Sequence, residues 1–258
     1  MYEPRRYWQW IMDGDLVSFR VAVKETDLYV RADRVLGAET LEAVIDCRDA
    51  LEGYIEHHPT YASSLLPVAA AGDAPWIVRH MADVAMAVGV GPMAAVAGAI
   101  AEGVGQHLMK YSAEVLVENG GDIFMVSARQ RRIGIYAGDS PFTGRLALDI
   151  EPESTPIGVC TSSGTVGHSL SFGRADAAIV LSRSTALADA AATAIGNVVK
   201  KDRDIGKGIN LAKEITGIEG VVVIKGDKLG VWGDVHLAEC DNCNEPQNRE
   251  CGSSRNDA

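Results

Sequence analysis

Apolar and polar residues alternate near the start of the chain in a way that predicts a β-hairpin. The alternation runs from Leu16 and again from Leu28, with the polar stretch KETD between the two runs. A period of two is typical of a strand with one buried face. From Ala38 to His58 the apolar residues instead recur three or four positions apart, which predicts an amphipathic helix that Pro59 ends.

The middle of the chain predicts two helices rich in alanine and glycine, with Pro75 and Pro92 in their first turns. Four short β-rich segments follow and predict the centre of a second sheet. They are AEVLVE, DIFMVSA, RRIGIYAG and RLALDI. Further on, ADAAIVLS predicts a buried strand that leads into a helix, and EGVVVIKGDKLGVWGD predicts a closing hairpin that turns at KGDK.

These elements mix strands and helices without a regular βαβ repeat. The expected fold class is therefore α+β, with mostly antiparallel sheets packed against helices. Hydrophobic residues make up 47% of the 258 residues, enough for a large core. We expect one domain with two lobes over residues 1–237, and a flexible, cysteine-containing tail over residues 238–258 that lacks apolar periodicity.

Charge and cysteine content restrict the partners. A formal net charge of −11 without a basic stripe argues against nucleic acid as a partner. No run of 18 apolar residues and no signal-peptide pattern is found, so no membrane association is expected and a soluble, cytoplasmic protein is predicted. The five cysteines do not form the pattern of a disulfide framework. For the tail cysteines Cys240, Cys243 and Cys251, a disordered tail, a zinc or iron–sulfur contact and redox work all stay open.

The stretch NGGD, formed by Asn119, Gly120, Gly121 and Asp122, joins two of the predicted strands. Adjacent glycines allow positive φ and let backbone N–H groups approach a phosphate closely. A plain hairpin turn is the alternative interpretation.

A second polar stretch follows an apolar strand and contains Thr161, Ser162, Ser163 and Gly164, with His168 shortly beyond. Hydroxyls and N–H groups in a glycine-rich loop suit a phosphate or a flavin edge, and a histidine can act as a general base near neutral pH. The alternative is a flexible loop with a solvated histidine.

The third candidate is an acidic residue in a helix of small residues, STALADAAATAIGN. Asp189 and Thr193 are four positions apart, so both present oxygens on one face of the helix. Such a group suits a hard cation, although a locally hydrogen-bonded aspartate is the simpler interpretation for an arbitrary helix.

Together these three motifs, NGGDI, TSSG with His168, and ALADAAATA, resemble the motifs of the ApbE flavin transferases. The resemblance extends over about Gly89 to Gly196, and the whole chain is most similar to an uncharacterised, cytoplasmic ApbE-like branch. Those enzymes use Mg²⁺ to cleave FAD and attach FMN to a serine or threonine of another protein, with release of AMP. In the family His168 would be followed by Asp-Pro-x-Thr-Gly, whereas here SLSFGRAD follows it.

The resemblance implies roles for residues of this chain. Asp189 and Thr193 would bind Mg²⁺, NGGD and TSSG would line the FAD site, and His168 or Asp122 would deprotonate the acceptor hydroxyl. It therefore predicts a flavin nucleotide and an acceptor flavoprotein as partners. Two alternatives stay open: an inactive flavin- or nucleotide-binding accessory protein of redox metabolism, and a Mg²⁺-dependent FAD pyrophosphatase. The alanine- and glycine-rich helices would also suit a homodimer.

Overall fold

A computed structural model describes residues 11–12, 15–165 and 172–240. Its strands form two sheets in which every neighbouring pair is antiparallel. The large sheet has the order β11-β10-β9-β8-β5-β4-β3-β2, and the small sheet has the order β1-β6-β7-β12. The strands are β1 (Ile11–Met12), β2 (Val17–Val23), β3 (Thr26–Ala32), β4 (Val115–Asn119), β5 (Asp122–Val126), β6 (Arg131–Gly134), β7 (Leu146–Ile150), β8 (Ile157–Ser162), β9 (Ala177–Ser182), β10 (Ile218–Lys225), β11 (Lys228–Gly233) and β12 (His236–Glu239).

Six α-helices lie in the described part of the chain. They are α1 (Gly37–His57), α2 (Pro59–Ser63), α3 (Trp76–Val88), α4 (Val96–Leu108), α5 (Thr185–Val198) and α6 (Ile205–Glu214). Short 3-10 helices, Pro92–Ala95 and Asp202–Asp204, lead into α4 and α6. Ser184 caps α5, because its side chain accepts a hydrogen bond from the Leu187 N–H.

The large sheet lies between two apolar layers. Alternate residues along its strands point to opposite faces, so one strand contributes to both layers. On one face Val117 and Val180 pack with helix residues such as Val78 and Ile195. On the other face Leu116 and Ile179 pack with the small sheet, for example with Leu148. The helices, the large sheet and the small sheet are thus three successive layers.

The structure confirms the α+β class and the local elements. The first hairpin pairs β2 with β3, the closing hairpin pairs β10 with β11, and α1 ends immediately before His58. The prediction that the four β-rich segments form a second sheet is wrong for two of them. Strands β4 and β5 continue the large sheet next to β3, and only β6 and β7 belong to the small sheet. The pairing of β3 with β4 spans four intervening α-helices, so local periodicity could not reveal it.

Among the described residues, no single helix is both long enough and apolar enough to cross a membrane. Helix α3 and the segment Pro92–Leu108 have the required length and composition only when they are taken together, and the two are bent by 103° relative to each other. Strand β12 extends to Glu239, two residues into the predicted tail, whose residues 241–258 lie outside the described part. Cys240, the last described residue of the chain, is buried.

Candidate active site at the meeting of α4, α5 and β5

The NGGD stretch is a two-residue hairpin turn between neighbouring strands of the large sheet. Asn119, at the end of β4, pairs with Asp122, at the start of β5. Gly120 and Gly121 have φ values of 68° and 110°, in the left-handed region that side chains other than glycine rarely adopt. This geometry is that of the turns preferred in tight hairpins, and it explains why two glycines stand here.

The hairpin is tied to the start of α4. The Asn119 side-chain amide donates a hydrogen bond to the Ala97 carbonyl over 3.1 Å. Asn119 is buried, so this contact satisfies a polar group that would otherwise be costly to remove from water. The turn and the first turn of α4 therefore hold each other in place.

Asp189 of α5 reaches the same turn of α4. Its Oδ2 accepts a hydrogen bond from the Gly98 N–H over 2.8 Å. A Cβ atom at Gly98 would lie 2.5 Å from the Thr185 carbonyl oxygen and 2.7 Å from the Asp189 Cβ, so only glycine permits this approach of the two helices. The N–H groups of a first helical turn lack partners in their own helix and carry partial positive charge, which favours a carboxylate here.

Asp122 and Asp189 lie close enough for their charges to interact. Burial raises the pKa of Asp122 to about 7, against contacts with the Cys160 thiol and the Thr161 backbone that lower it. Burial and, after it, the charge of Asp122 raise the pKa of Asp189 well above its ordinary value. Two carboxylates that share one site cannot both ionise without cost, unless a cation enters between them.

Cys160 occupies the space beside both carboxylates. It is fully buried, and its Sγ donates to the Thr185 carbonyl over 3.3 Å. Burial, followed by the charges of Asp122 and Asp189, raises the pKa of this thiol well above its ordinary value. Cys160 is therefore a buried, protonated thiol beside the two carboxylates, and nothing in its local sequence pattern marks it as part of the site.

The residues at this position fit a hard divalent cation. The Asp122 Oδ1 is buried and has no hydrogen-bond partner among the described residues. Asp189 and Thr193 are both partly exposed on α5, one turn apart. A metal site built from protein ligands alone would need at least three His, Cys, Asp or Glu side chains close together, and the described part of the chain has no such group. Mg²⁺ suits a site with so few protein ligands, since it commonly keeps several bound waters and also binds substrate phosphates.

The hydroxyl-rich stretch after β8 lies beside α5. Thr161 and Ser162 are the last residues of β8, and the Ser162 Oγ would be 3.4 Å from a Cβ placed on Gly196. The Ser163 Oγ contacts the Thr165 Oγ1 over 3.3 Å. The Gly164 N–H donates to the Ala175 carbonyl over 2.9 Å, so this N–H is already used inside the protein.

The structure thus brings Asn119, Asp122, Asp189 and the end of β8 together, although they come from separate parts of the sequence. The predicted base His168 lies outside the described residues. Besides Cys160, sequence reasoning missed Gly98, which stands in an alanine- and glycine-rich helix where one glycine looks like the next.

The three-layer architecture defines the fold of the protein. The fold is that of ApbE, because the chain matches the crystal structure of the apo form of the Pseudomonas stutzeri flavinyl transferase ApbE with a TM-score of 0.54. The match covers 86% of this chain and 96% of that chain at 17% sequence identity, so the similarity concerns the fold.

The chain belongs to the protein family described as AbpE bacteria, which matches residues 8–216. It is 43% identical over 215 residues to a UPF0280 protein of Methanocella arvoryzae, covering 82% of this chain and 86% of that protein. It is also 41% identical over 222 residues to UPF0280 protein MJ1526 of Methanocaldococcus jannaschii, covering 84% and 90%. The ApbE-like resemblance predicted from the three motifs is confirmed.

Proposed function

We propose that this protein binds FAD and Mg²⁺ and transfers FMN from FAD to a serine or threonine hydroxyl of another protein, with release of AMP. The observation that carries the proposal is the pair Asp122 and Asp189, which interact beside the double-glycine turn. An ApbE-like fold adds support, because the protein with the matching fold is a flavinyl transferase.

Each residue has a proposed task. Asn119, Gly120 and Gly121 form the edge of the FAD site, and the hydroxyls of Thr161, Ser162 and Ser163 lie along β8 and the loop after it. Asp189 and Thr193 would hold Mg²⁺, with Gly98 fixing the second carboxylate oxygen of Asp189. When bound, Mg²⁺ would neutralise the charge that develops on the departing AMP phosphate.

Asp122 would act as the general base. In the transfer, the acceptor hydroxyl oxygen bonds to the FMN phosphorus, the bond from that phosphorus to the bridging oxygen breaks, and AMP leaves with the electron pair. The hydroxyl proton passes to the Asp122 carboxylate. Burial raises the pKa of Asp122, so its carboxylate binds a proton more readily than an exposed aspartate does. His168 stays the alternative base from the sequence analysis.

The decisive assay mixes purified protein, FAD, Mg²⁺ and an acceptor that contains an Asp-x-x-Ser/Thr-Gly-Ala-Thr segment. The proposal predicts AMP and covalently flavinylated acceptor in equal amounts, measured by chromatography and by in-gel flavin fluorescence. An acceptor with alanine in place of the target hydroxyl residue is the matched control and should yield neither product. Neither AMP nor covalent flavin with the intact acceptor would remove the transferase proposal.

The same assay separates the two alternatives. A Mg²⁺-dependent FAD pyrophosphatase would release AMP and free FMN without any acceptor, because water replaces the hydroxyl. An inactive accessory protein would bind the flavin, seen as quenching of flavin fluorescence, without turnover. The sequence SLSFGRAD after His168 is the observation that favours this second candidate. The cytoplasmic location and the homodimer stay predictions.

A further inference from the structure

A second buried carboxylate, Glu102 of α4, lies at the start of α5. Its Oε2 accepts hydrogen bonds from the Ser184 hydroxyl and from the Ala186 N–H, each over 3.1 Å. Its Oε1 accepts from the Gln106 side-chain amide over 3.3 Å. Glu102 is only 5% exposed, so these contacts take the place of water.

His80 of α3 completes this cluster. Its Nε2 lies 3.3 Å from the Glu102 Oε2 and 3.3 Å from the Ser184 Oγ. Its ring stacks on Trp76 with the ring centres 5.0 Å apart. Burial opposes ionisation of Glu102, but the contacts with His80, Ala186 and Ser184 outweigh it and hold the pKa of Glu102 below its usual range. The start of α5 therefore carries a buried negative charge supplied by α4.

Helices α4 and α5 are joined by two reciprocal hydrogen bonds, in each of which a carboxylate of one helix accepts from a backbone N–H of the other. Glu102 of α4 accepts from the first turn of α5, and Asp189 of α5 accepts from the first turn of α4 through the Gly98 N–H. Each carboxylate thus meets the positive end of the other helix. Ala186 and Asp189 are three residues apart on one helix, so a displacement at the start of α5 is transmitted to Asp189.

We infer that Glu102 is a positioning residue for Asp189: through Ser184 and Ala186 it holds α5 in the register at which Asp189 reaches the Gly98 N–H. The expected effect of Glu102 on Mg²⁺ binding rests on the proposed function. The expected effect of Glu102 on the hydrogen bond of the Gly98 N–H does not.

Glu102→Gln is the test variant. Glutamine keeps the shape of the side chain but replaces one acceptor oxygen with a donor and removes the charge. Asp204→Asn is the matched control, since Asp204 is also buried and accepts from the backbone N–H groups of Lys200 and Lys201, next to α6. Should Glu102→Gln not fold, His80→Phe removes one contact of Glu102, leaves the Ser184 cap of α5 in place and serves instead.

The first measurement is native-state hydrogen exchange of the Gly98 N–H, followed by NMR in the metal-free protein. Glu102→Gln should speed this exchange at least tenfold, because the Asp189 acceptor moves away. Asp204→Asn should change it less than twofold. Equal rates in the parent protein and Glu102→Gln, with the variant folded, would overturn the inference.

The second measurement is the Mg²⁺ concentration that half-saturates FAD binding, read from flavin fluorescence. Glu102→Gln should raise it at least fivefold, while FAD affinity without Mg²⁺ changes less than twofold. Loss of a purely stabilising residue would lower the unfolding temperature without moving the Mg²⁺ midpoint, as we expect for Asp204→Asn, and that outcome for Glu102→Gln would also overturn the inference. If the parent protein shows no Mg²⁺ effect, the proposed function fails and the exchange result alone decides the inference.

Discussion

The Gly98 N–H donates to the Asp189 Oδ2 over 2.8 Å across 91 residues of sequence. This contact joins the first turn of α4 to the helix that carries the proposed Mg²⁺ ligands. It exists because Gly98 has no side chain where the two helices meet. The position of Asp189 is therefore decided by the packing of α4 against α5.

Gly98→Ala should separate the two helices. The added Cβ would lie 2.5 Å from the Thr185 carbonyl oxygen, a backbone atom that cannot turn away. We expect the free energy of unfolding in urea to fall by about 2 kcal/mol, as overpacking typically costs. Mg²⁺-dependent FAD binding should weaken at least tenfold. Gly206→Ala is the control, because nothing lies within 4 Å of its Cβ position, and there alanine should stabilise α6 by roughly 0.5–1 kcal/mol. A Gly98→Ala protein as stable as the parent would contradict the close approach.

Asp189→Asn should remove the metal dependence while keeping the fold. Asparagine can still accept the Gly98 N–H through its side-chain oxygen, but it lacks the charge that attracts a cation. We expect the Mg²⁺ midpoint for FAD binding to rise at least tenfold in a fluorescence titration. Asp227→Asn removes the same charge at an exposed side chain and should leave the midpoint unchanged. An unchanged midpoint in Asp189→Asn would remove the metal assignment.

Asp122→Asn should stabilise the metal-free protein at high pH. Because the pKa of Asp122 rises from 3.8 to about 7 on folding, the native state holds a proton that the unfolded chain releases between these values. The penalty is absent below pH 3.8, grows as pH rises and is complete above pH 7. The variant should therefore exceed the parent in unfolding free energy by up to about 4 kcal/mol above pH 7, and by little near pH 4.

Urea unfolding at several pH values checks this expectation. Asp149→Asn is the control with the opposite sign, because its hydrogen bond to Arg132 lowers the pKa of Asp149. That variant should lose stability relative to the parent at neutral pH and lose less as pH falls through the lowered pKa. A pH-independent difference for Asp122→Asn would mean that Asp122 is not the buried acid.

Gly121→Ala tests the turn without adding a clash. Nothing lies within 4 Å of its Cβ position, but its φ of +110° is strained for any residue with a side chain. We expect a loss of about 1–2 kcal/mol in unfolding free energy and weaker FAD binding. Gly72→Ala, also without close neighbours and with an ordinary φ, should change neither by much. If Gly121→Ala binds FAD as tightly as the parent protein, the double-glycine turn is not part of the FAD site.

Local pattern was a reliable guide where one stretch of chain decides its own structure. The alternation on either side of KETD, the double glycine between Asn119 and Asp122, and the helical spacing after Ala38 all correspond to observed elements. The same patterns failed to assign β4 and β5 to the large sheet. Both strands are buried on both faces, and such a strand has no sequence feature that indicates which strand it pairs with.

The candidate site shows the same division. Asp189, Thr193 and the NGGD turn could be selected from their residue types and spacing. Cys160 and Glu102 could not, because an apolar strand with one cysteine and a helix with one glutamate are ordinary sequences. Their importance arises from what faces them, and those partners come from distant parts of the chain.

The sequence by itself determined the α+β class and the hairpins, since these depend on residue type and short-range periodicity, and it indicated the family through the resemblance of three motifs. Only the tertiary structure decided that Asp122 and Asp189 share one site, and that α4 and α5 each supply a carboxylate to the first turn of the other helix. The physical reason is that burial and charge coupling depend on distances between segments far apart in sequence, and the packing of helices against the sheet sets those distances.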